Sequence, residues 1–435
     1  MNWGCAVLRK CLTTLALAWA IPALAATQAI DAPELAKPGS FGVGYKTMVY
    51  VQPNLPDLGL AKDGPSTGAS RSRQLTVDIW YPAATRPRDK KVTYRNTLWG
   101  ETPKPPVSFT HQGEAVAGAR ALGGGHPLII LSHGYSNAPP LMSWLTENLA
   151  SKGYVVAGIR HSDPNPYVAP PQIRAAPYYL RPNDISFVAD RLRKSLGDQI
   201  DPNNLALIGY SQGGYGVLTA GGASLDPNHP VMSQVPNGAL LTMARGGPAA
   251  EAIRVPGVKA IVALAPNGAG HPHIWGSGLT NITAPLLLIA GDADAVVGYK
   301  HAARAFFEEA SKSDRYLLTF RQAGHSIAFN AAPPAMRQSL WDFDWFEDAI
   351  WRQDRVSAIN LHFITAFLAL HLRQETAMRS YLDVATEESD LGTWNAPPDA
   401  SWGAYSPGGP GVTLWKGFQR RRAQGLRLEH RPAQD

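Results

Sequence analysis

The chain of 435 residues has only two cysteines, Cys5 and Cys11, both within the first dozen positions. Its body therefore has the means for neither a disulfide framework nor a cysteine zinc site. Charge is sparse as well: 17% of residues are Asp, Glu, Lys or Arg, and the formal net charge is +6. The one dense basic run, Arg420 to Arg422, reads as a solvated terminal cluster, so nucleic-acid binding is disfavoured. Long apolar stretches are also missing. After residue 25 none approaches the roughly 20 residues needed to cross a bilayer, and no transmembrane segment is expected. By contrast, Gly (41) and Pro (36) are plentiful, and apolar residues make up 45%. That combination describes a turn-rich globular protein and excludes fibrous and highly charged disordered classes.

The first 25 residues read as an export signal. Arg9 and Lys10 form a positive n-region, Leu12 to Ile21 an apolar h-region, and Ala23-Leu24-Ala25 a small-x-small cleavage site. An h-region of ten residues falls short of a membrane anchor. The expectation is cleavage after Ala25 and a secreted or periplasmic protein whose formal charge is lower by two.

Two strands are expected early, Phe41 to Val51 and Leu75 to Tyr81, opening a β-meander. From Ala83 to Gly125 the chain turns polar and rich in Pro and Gly, which predicts long surface loops containing His111. From Pro127 on, short runs apolar at consecutive positions alternate with amphipathic stretches. The runs are Leu128 to Leu131, Tyr154 to Ile159, Leu205 to Ile208, Val258 to Leu264, Leu286 to Ala290 and Tyr316 to Phe320. Strands apolar on both faces require helices on both sides. Those helices are marked by Leu141, Leu145 and Leu149, by Ile185, Val188, Leu192 and Leu196, and by Val356, Ile359, Phe363, Phe367 and Leu370. The pattern implies a mostly parallel sheet in an α/β domain over residues 26–390. Residues 224–256 are expected as a small cap or surface excursion. Residues 391–435, with Trp394, Trp402, Tyr405, Trp415 and Phe418, form an aromatic extension lying against the body.

The chemistry concentrates in Gly209-Tyr210-Ser211-Gln212-Gly213, a G-x-S-x-G motif directly after a buried-type strand and before a helix-compatible stretch. This is the context of a nucleophile elbow: the serine sits on a sharp strand-to-helix turn, and Gly209 and Gly213 leave room for the backbone. Serine needs a base, and the base an orienting acid, in the chain order Ser, Asp or Glu, His. Gly291-Asp292-Ala293-Asp294 and Gln322-Ala323-Gly324-His325 each follow a predicted parallel strand, where open α/β sheets place their sites. His325 is the base; Asp292 and Asp294 are both candidates for the acid. The N–H groups of Gln212 and Tyr135 are positioned as oxyanion donors. His133 reads as a support for that loop, and His271 and His273, without an evident third ligand, as loop residues with no metal.

Leu131-Ser132-His133-Gly134-Tyr135, Asn148 to Val156, and Gly209 to Gly214 resemble bacterial dienelactone-hydrolase-like serine esterases, relatives of platelet-activating-factor acetylhydrolase and of cutinase-like polyesterases. The resemblance covers roughly residues 41–382. It implies an α/β-hydrolase fold, cofactor-free hydrolysis of a small-molecule or lipid-like carboxylic ester, and a triad of Ser211, Asp294 and His325, the acid lying three residues past Gly291. The chain departs from true dienelactone hydrolases in having serine at the elbow, and from compact cutinases in its long loops and aromatic tail. A peptidase or acyltransferase would use the same triad, whereas a silent binding protein would lack one of its members.

Overall fold

The computed structural model describes residues 29–58, 70–98, 106–393, 411–419 and 421–434. The expected signal segment, Trp394, Trp402, Tyr405 and Arg420 lie outside the described residues.

Twelve strands among the described residues form one sheet. The first five are β1 (Gly42–Pro56), β2 (Ser70–Ala84), β3 (Lys91–Leu98), β4 (Val107–Ala117) and the short β5 (Arg120–Ala121). Then follow β6 (His126–Ser132), α1 (Ser143–Ser151), β7 (Val155–Arg160), α2 (Pro171–Arg174), α3 (Ala176–Ser195), β8 (Ile200–Tyr210) and α4 (Gln212–Ala220). The C-terminal half contributes β9 (Val258–Leu264), β10 (Leu286–Gly291), α5 (Arg304–Glu309), β11 (Arg315–Phe320), α6 (Leu340–Asp344), α7 (Gln353–Arg373) and β12 (Leu426–Arg431). Across the sheet the order is β12-β11-β10-β9-β8-β6-β7-β2-β1-β4-β3.

The six central strands, β11 through β7 in that order, are parallel. Their consecutive apolar residues serve two cores. In β8, Leu205 and Leu207 join the layer under α3 and α4, while Ala206, Ile208 and Tyr210 join the one under α1 and α7. Period-two geometry sends neighbours to opposite faces, so a strand covered on both sides has no polar position to spare.

Four expectations need correction. Residues 83–125 are not mainly loops: β3 and β4 pair antiparallel over seven registered positions, and His111 and His126 lie in strands. In β3 the burial alternates strictly, with Tyr94, Asn96 and Leu98 facing inward. Polar residues fill the solvent face of such a strand and disguise it as loop. The opening is not a meander either, because β4 returns parallel to the far edge of β1. The tail does more than lie on the body: β12 extends the sheet antiparallel to β11, Trp415 and Phe418 are buried, and Glu429, fully buried, accepts ion pairs from Arg304 and Arg427. Finally, one segment after residue 25 is long and apolar enough to span a bilayer. It is α7, a 21-residue helix whose most apolar 18-residue stretch is 83% buried inside the protein, as in a core helix.

Residues 224–256 are irregular apart from 3₁₀ turns at Pro230–Ser233 and Pro236–Met243, and they pack on the α3 and α4 side, with Val255 N–H bonded to Ala220 O and Ser186 Oγ to Ala252 O.

Leu426 and Leu428 are fully buried in β12. A chain ending at Gln424 forgoes about 1.5–3 kcal/mol for each and bares the β11 edge. It is expected to melt at least about 5 °C lower by calorimetry, or to aggregate. An unchanged melting temperature would contradict this role for β12.

Candidate active site

Three loops at the C-terminal ends of parallel strands converge at one edge of the sheet. Between β8 and α4 the backbone reverses through Ser211, whose φ of 53° and ψ of −116° are unfavourable for any residue with a Cβ. Such strain costs about 1–3 kcal/mol and persists only where the surroundings impose it. Here they do. Ser211 N–H donates to Leu264 O at 2.9 Å, and Ser211 O accepts from the N–H groups of Asn267 (3.0 Å) and Tyr215 (3.2 Å). The turn is so tight that a Cβ on Gly209 would lie 2.2 Å from Gly213 O, and one on Gly213 would lie 1.9 Å from Ser132 O. Both positions therefore require glycine.

The strained turn holds Ser211 Oγ 3.0 Å from His325 Nε2, and His325 Nδ1 lies 2.7 Å from Asp294 Oδ2. The other carboxylate oxygen of Asp294 accepts the N–H groups of Val296 (2.8 Å) and Val297 (3.0 Å). Burial alone would raise the pKa of this carboxyl. The hydrogen bond and charge of His325, with the two backbone donors, outweigh burial and hold it below the usual carboxylate value. Asp294 thus stays ionised, which fixes His325 as the Nδ1–H tautomer and leaves Nε2 free to accept the serine proton. Asp292 does not touch the histidine; its Oδ1 accepts Gln322 N–H at 2.6 Å and ties the two loops together.

The histidine loop is braced by residues whose bracing role no sequence motif marks. Tyr210 Oη donates to His325 O at 3.1 Å, and its ring lies 5.1 Å from the imidazole. Asp348 accepts Gly324 N–H at 2.6 Å, and from α7 Asn360 and Gln353 donate to Ile327 O and Phe329 O. These contacts join segments far apart in sequence, and their residue types are common in solvated positions, so spacing held no signal for them.

The other predicted donors lie on the same side. Among the described residues, the N–H groups of Tyr135 and Gln212 donate to no protein acceptor. Gln212 opens α4, where the first N–H groups have no partner within the helix. His133 is fully buried; its Nδ1 donates to Gly134 O at 2.6 Å and its Nε2 accepts His161 N–H at 3.2 Å. Both nitrogens are committed to the loop. His273 pairs with Glu309 at 2.9 Å, and the His271 ring lies 4.2 Å from that of His301.

A second serine, histidine and aspartate series lies beneath. Ser132 Oγ is 3.0 Å from His161 Nε2, and His161 Nδ1 is 2.7 Å from Asp184. Its serine is completely buried and also accepts from Arg181 at 3.2 Å, so no substrate can reach it. The contrast shows that access and backbone presentation, not connectivity alone, distinguish Ser211.

Two family models match the chain: the prolyl oligopeptidase family over residues 181–349, which hold Ser211, Asp294 and His325, and platelet-activating factor acetylhydrolase, isoform II, over residues 113–172, which hold Tyr135. Among characterised proteins, cutinase est1 of Thermobifida alba is 24% identical over 233 residues, covering 51% of this chain and 64% of the cutinase. Cutinase est2 of the same organism is 28% identical over 123 residues, covering 26% and 39%. The matched region thus spans less than two thirds of either cutinase. The fold is that of the α/β-hydrolases, and the matches support a hydrolase of the serine-hydrolase type. The expected kinship with acetylhydrolases and cutinases is borne out; none of these matches speaks for the dienelactone-hydrolase resemblance.

Buried imidazoles make the fold sensitive to acid. Burial, with Arg181 and His161 adding to it, holds His133 well below the ordinary histidine value. Burial with Arg181 and Arg73 does the same to His161, and burial brings His362 in α7 down to about 3. Asp184 moves the opposite way: burial pushes it up to about 6 against the pull of Arg73 and Arg181. Below pH ~6.5 the unfolded chain binds protons at three histidines that the folded state leaves neutral, and uptake by folded Asp184 below about 6 offsets one of them. His111, His126 and His371 are shifted the same way, and these histidines outnumber the raised carboxyls Asp78, Glu147 and Asp184, so stability is expected to fall as the pH drops from 6 to 5. Urea midpoints measured across that range check it; a flat or rising midpoint would contradict the buried neutral imidazoles.

Proposed function

We propose that this protein hydrolyses carboxylic esters through an acyl-enzyme formed on Ser211. The observation that carries the reading is the linked series Ser211 Oγ, His325 and Asp294, at 3.0 and 2.7 Å, on a strained turn that leaves the serine partly exposed. In the proposed cycle His325 Nε2 takes the hydroxyl proton as Ser211 Oγ attacks the ester carbonyl. Negative charge gathers on the carbonyl oxygen between the N–H groups of Tyr135 and Gln212, and Asp294 stabilises the imidazolium. The imidazolium then returns its proton to the departing alcohol. A water, deprotonated by the same nitrogen, attacks the acyl carbon and releases the acid and the serine.

Two features support a small-molecule or lipid-like ester. The cutinase and acetylhydrolase matches are one. The other is a mostly apolar cleft beside the oxyanion loop, lined by Leu98, Tyr135, Ser136, Tyr167, Met336 and Trp345, with the Trp341 ring against those of Tyr167 and Trp345. Peptide hydrolysis on the same triad is the second reading, favoured by the prolyl oligopeptidase match. The export-signal pattern of residues 1–25 supports action outside the cytoplasm.

Turnover of p-nitrophenyl esters from acetyl to palmitoyl, beside a peptide anilide, tests this. Ser211→Ala is expected to stay folded and to lose roughly a million-fold in ester turnover, the scale known for loss of a serine nucleophile. Asp294→Asn, which favours the wrong histidine tautomer, should lose at least about a thousand-fold. Asp292→Asn should cost stability more than rate. An active Ser211→Ala protein, or hydrolysis of the anilide in preference to every ester, would overturn the ester reading.

A further inference from the structure

The oxyanion loop is held from behind by a buried cation. Arg181, in the second turn of α3, is completely inaccessible to solvent. Its guanidinium donates to His133 O, to Gly134 O at 3.1 Å and to Ser132 Oγ at 3.2 Å, so one planar group reaches three consecutive residues of the loop. The remaining donors meet Asp163, through Nε at 3.3 Å and through Nη2. Asp163, 2% exposed at its side chain, then accepts Ser136 N–H at 2.8 Å. The pair encloses the loop: Arg181 binds the carbonyls before Tyr135, and Asp163 binds the N–H after it.

A trans peptide is planar, and its C=O and the following N–H point in opposite directions. Gly134 O is fixed by two donors, Arg181 Nη2 and His133 Nδ1 at 2.6 Å. The N–H of the same peptide plane belongs to Tyr135 and must point away from Arg181. The side away from this buried group is the open one, because Tyr135 and Ser211 are both partly exposed. The next peptide is fixed as well, by Asn137 Nδ2 donating to Tyr135 O at 2.8 Å. A cation bonded to Gly134 O also polarises the amide and strengthens its N–H as a donor, an effect that low local dielectric favours.

We propose that Arg181, held by Asp163, is a positioning residue that presets the Tyr135 N–H as an oxyanion donor. The proposal deepens and rests on the serine-hydrolase reading of Ser211. Arg181 touches no reacting atom. Its contribution falls on the tetrahedral state, where the carbonyl oxygen is charged, and little on the bound ester, where it is not.

The distinguishing variant is Arg181→Lys, which keeps the charge but cannot span two carbonyls and a carboxylate. Removing a single oxyanion donor costs about 100- to 1,000-fold in kcat elsewhere. A loosened donor is accordingly expected to lower kcat at least ~30-fold with KM within about threefold. The affinity of an alkyl boronic acid, which forms a tetrahedral adduct on the serine, should fall by a similar factor. Asp163→Asn, which keeps an acceptor for Ser136 N–H but releases the guanidinium, should show the same pattern and carries the test if Arg181→Lys fails to fold by circular dichroism. A folded variant with kcat within about threefold of the parent, or with kcat lost and boronate affinity intact, would overturn the proposal. Parallel assays of the parent and Ser211→Ala separate the two levels. An inactive parent or an active Ser211→Ala protein would defeat the serine reading itself, whereas a normal Arg181→Lys beside an inactive Ser211→Ala would defeat only the role of Arg181.

Discussion

Everything at the site depends on the backbone of Ser211 being held at a positive φ between a strand and a helix. An extended serine at the end of β8 would point into one of the two cores, and a helical one would lie along α4. The strained turn does neither: it places Oγ at the open edge and Gln212 N–H at a helix N-terminus beside it. What enforces the turn is packing. Gly209, Gly213 and the Ser132 carbonyl lie closer together than any side chain would allow, and backbone hydrogen bonds to Leu264 and Asn267 anchor both ends of the serine peptide. The parallel sheet provides that anchoring, since Leu264 ends β9, the neighbour of β8.

Around the turn the protein places its titratable groups in two tiers. The upper tier, Asp294 and His325, has one edge toward solvent and proton acceptors that remain free to act. The lower tier, Arg73, Asp184, His161, Arg181 and Asp163, is sealed, and its hydrogen bonds run into the backbone of the loop that carries Tyr135. Buried charges are costly unless paired, and here Arg73 pairs with Asp184 and Arg181 with Asp163. Their arrangement adds little that an apolar core would lack in stability, but it fixes the directions of peptide planes, which an apolar core does not.

Much of this was legible in the sequence, for identifiable reasons. The six central strands are apolar at consecutive positions because they are covered twice, and that pattern has few alternatives. Ser211 and His325 follow from a strand, a glycine-flanked serine and a histidine after a later strand. The residue pattern left Asp292 and Asp294 both open as the acid, and the family resemblance pointed to Asp294; the side chains separate them, one bonding Gln322 N–H and the other His325. The edge of the sheet stayed hidden because β3 and β4 bury one face only, so their polar residues read as loop. In β12, Arg427, Glu429 and Arg431 carried no strand signal because their ion pairs to Glu387, Glu388 and Arg304 exist only after folding. Arg181 and Asp163 were invisible for the same reason, being two charged residues whose importance lies in the backbone atoms they reach.

The central claim is that presentation and access, rather than the mere linkage of serine, histidine and aspartate, make Ser211 the nucleophile. The protein contains its own control in the buried series Ser132, His161 and Asp184. Treating the folded protein with an alkyl fluorophosphonate and mapping the adduct by peptide mass spectrometry tests the claim most directly. The account predicts one phosphonyl group, on the peptide that carries Ser211, with Ser132 unmodified. An adduct on Ser132, or a folded and unlabelled protein, would contradict it.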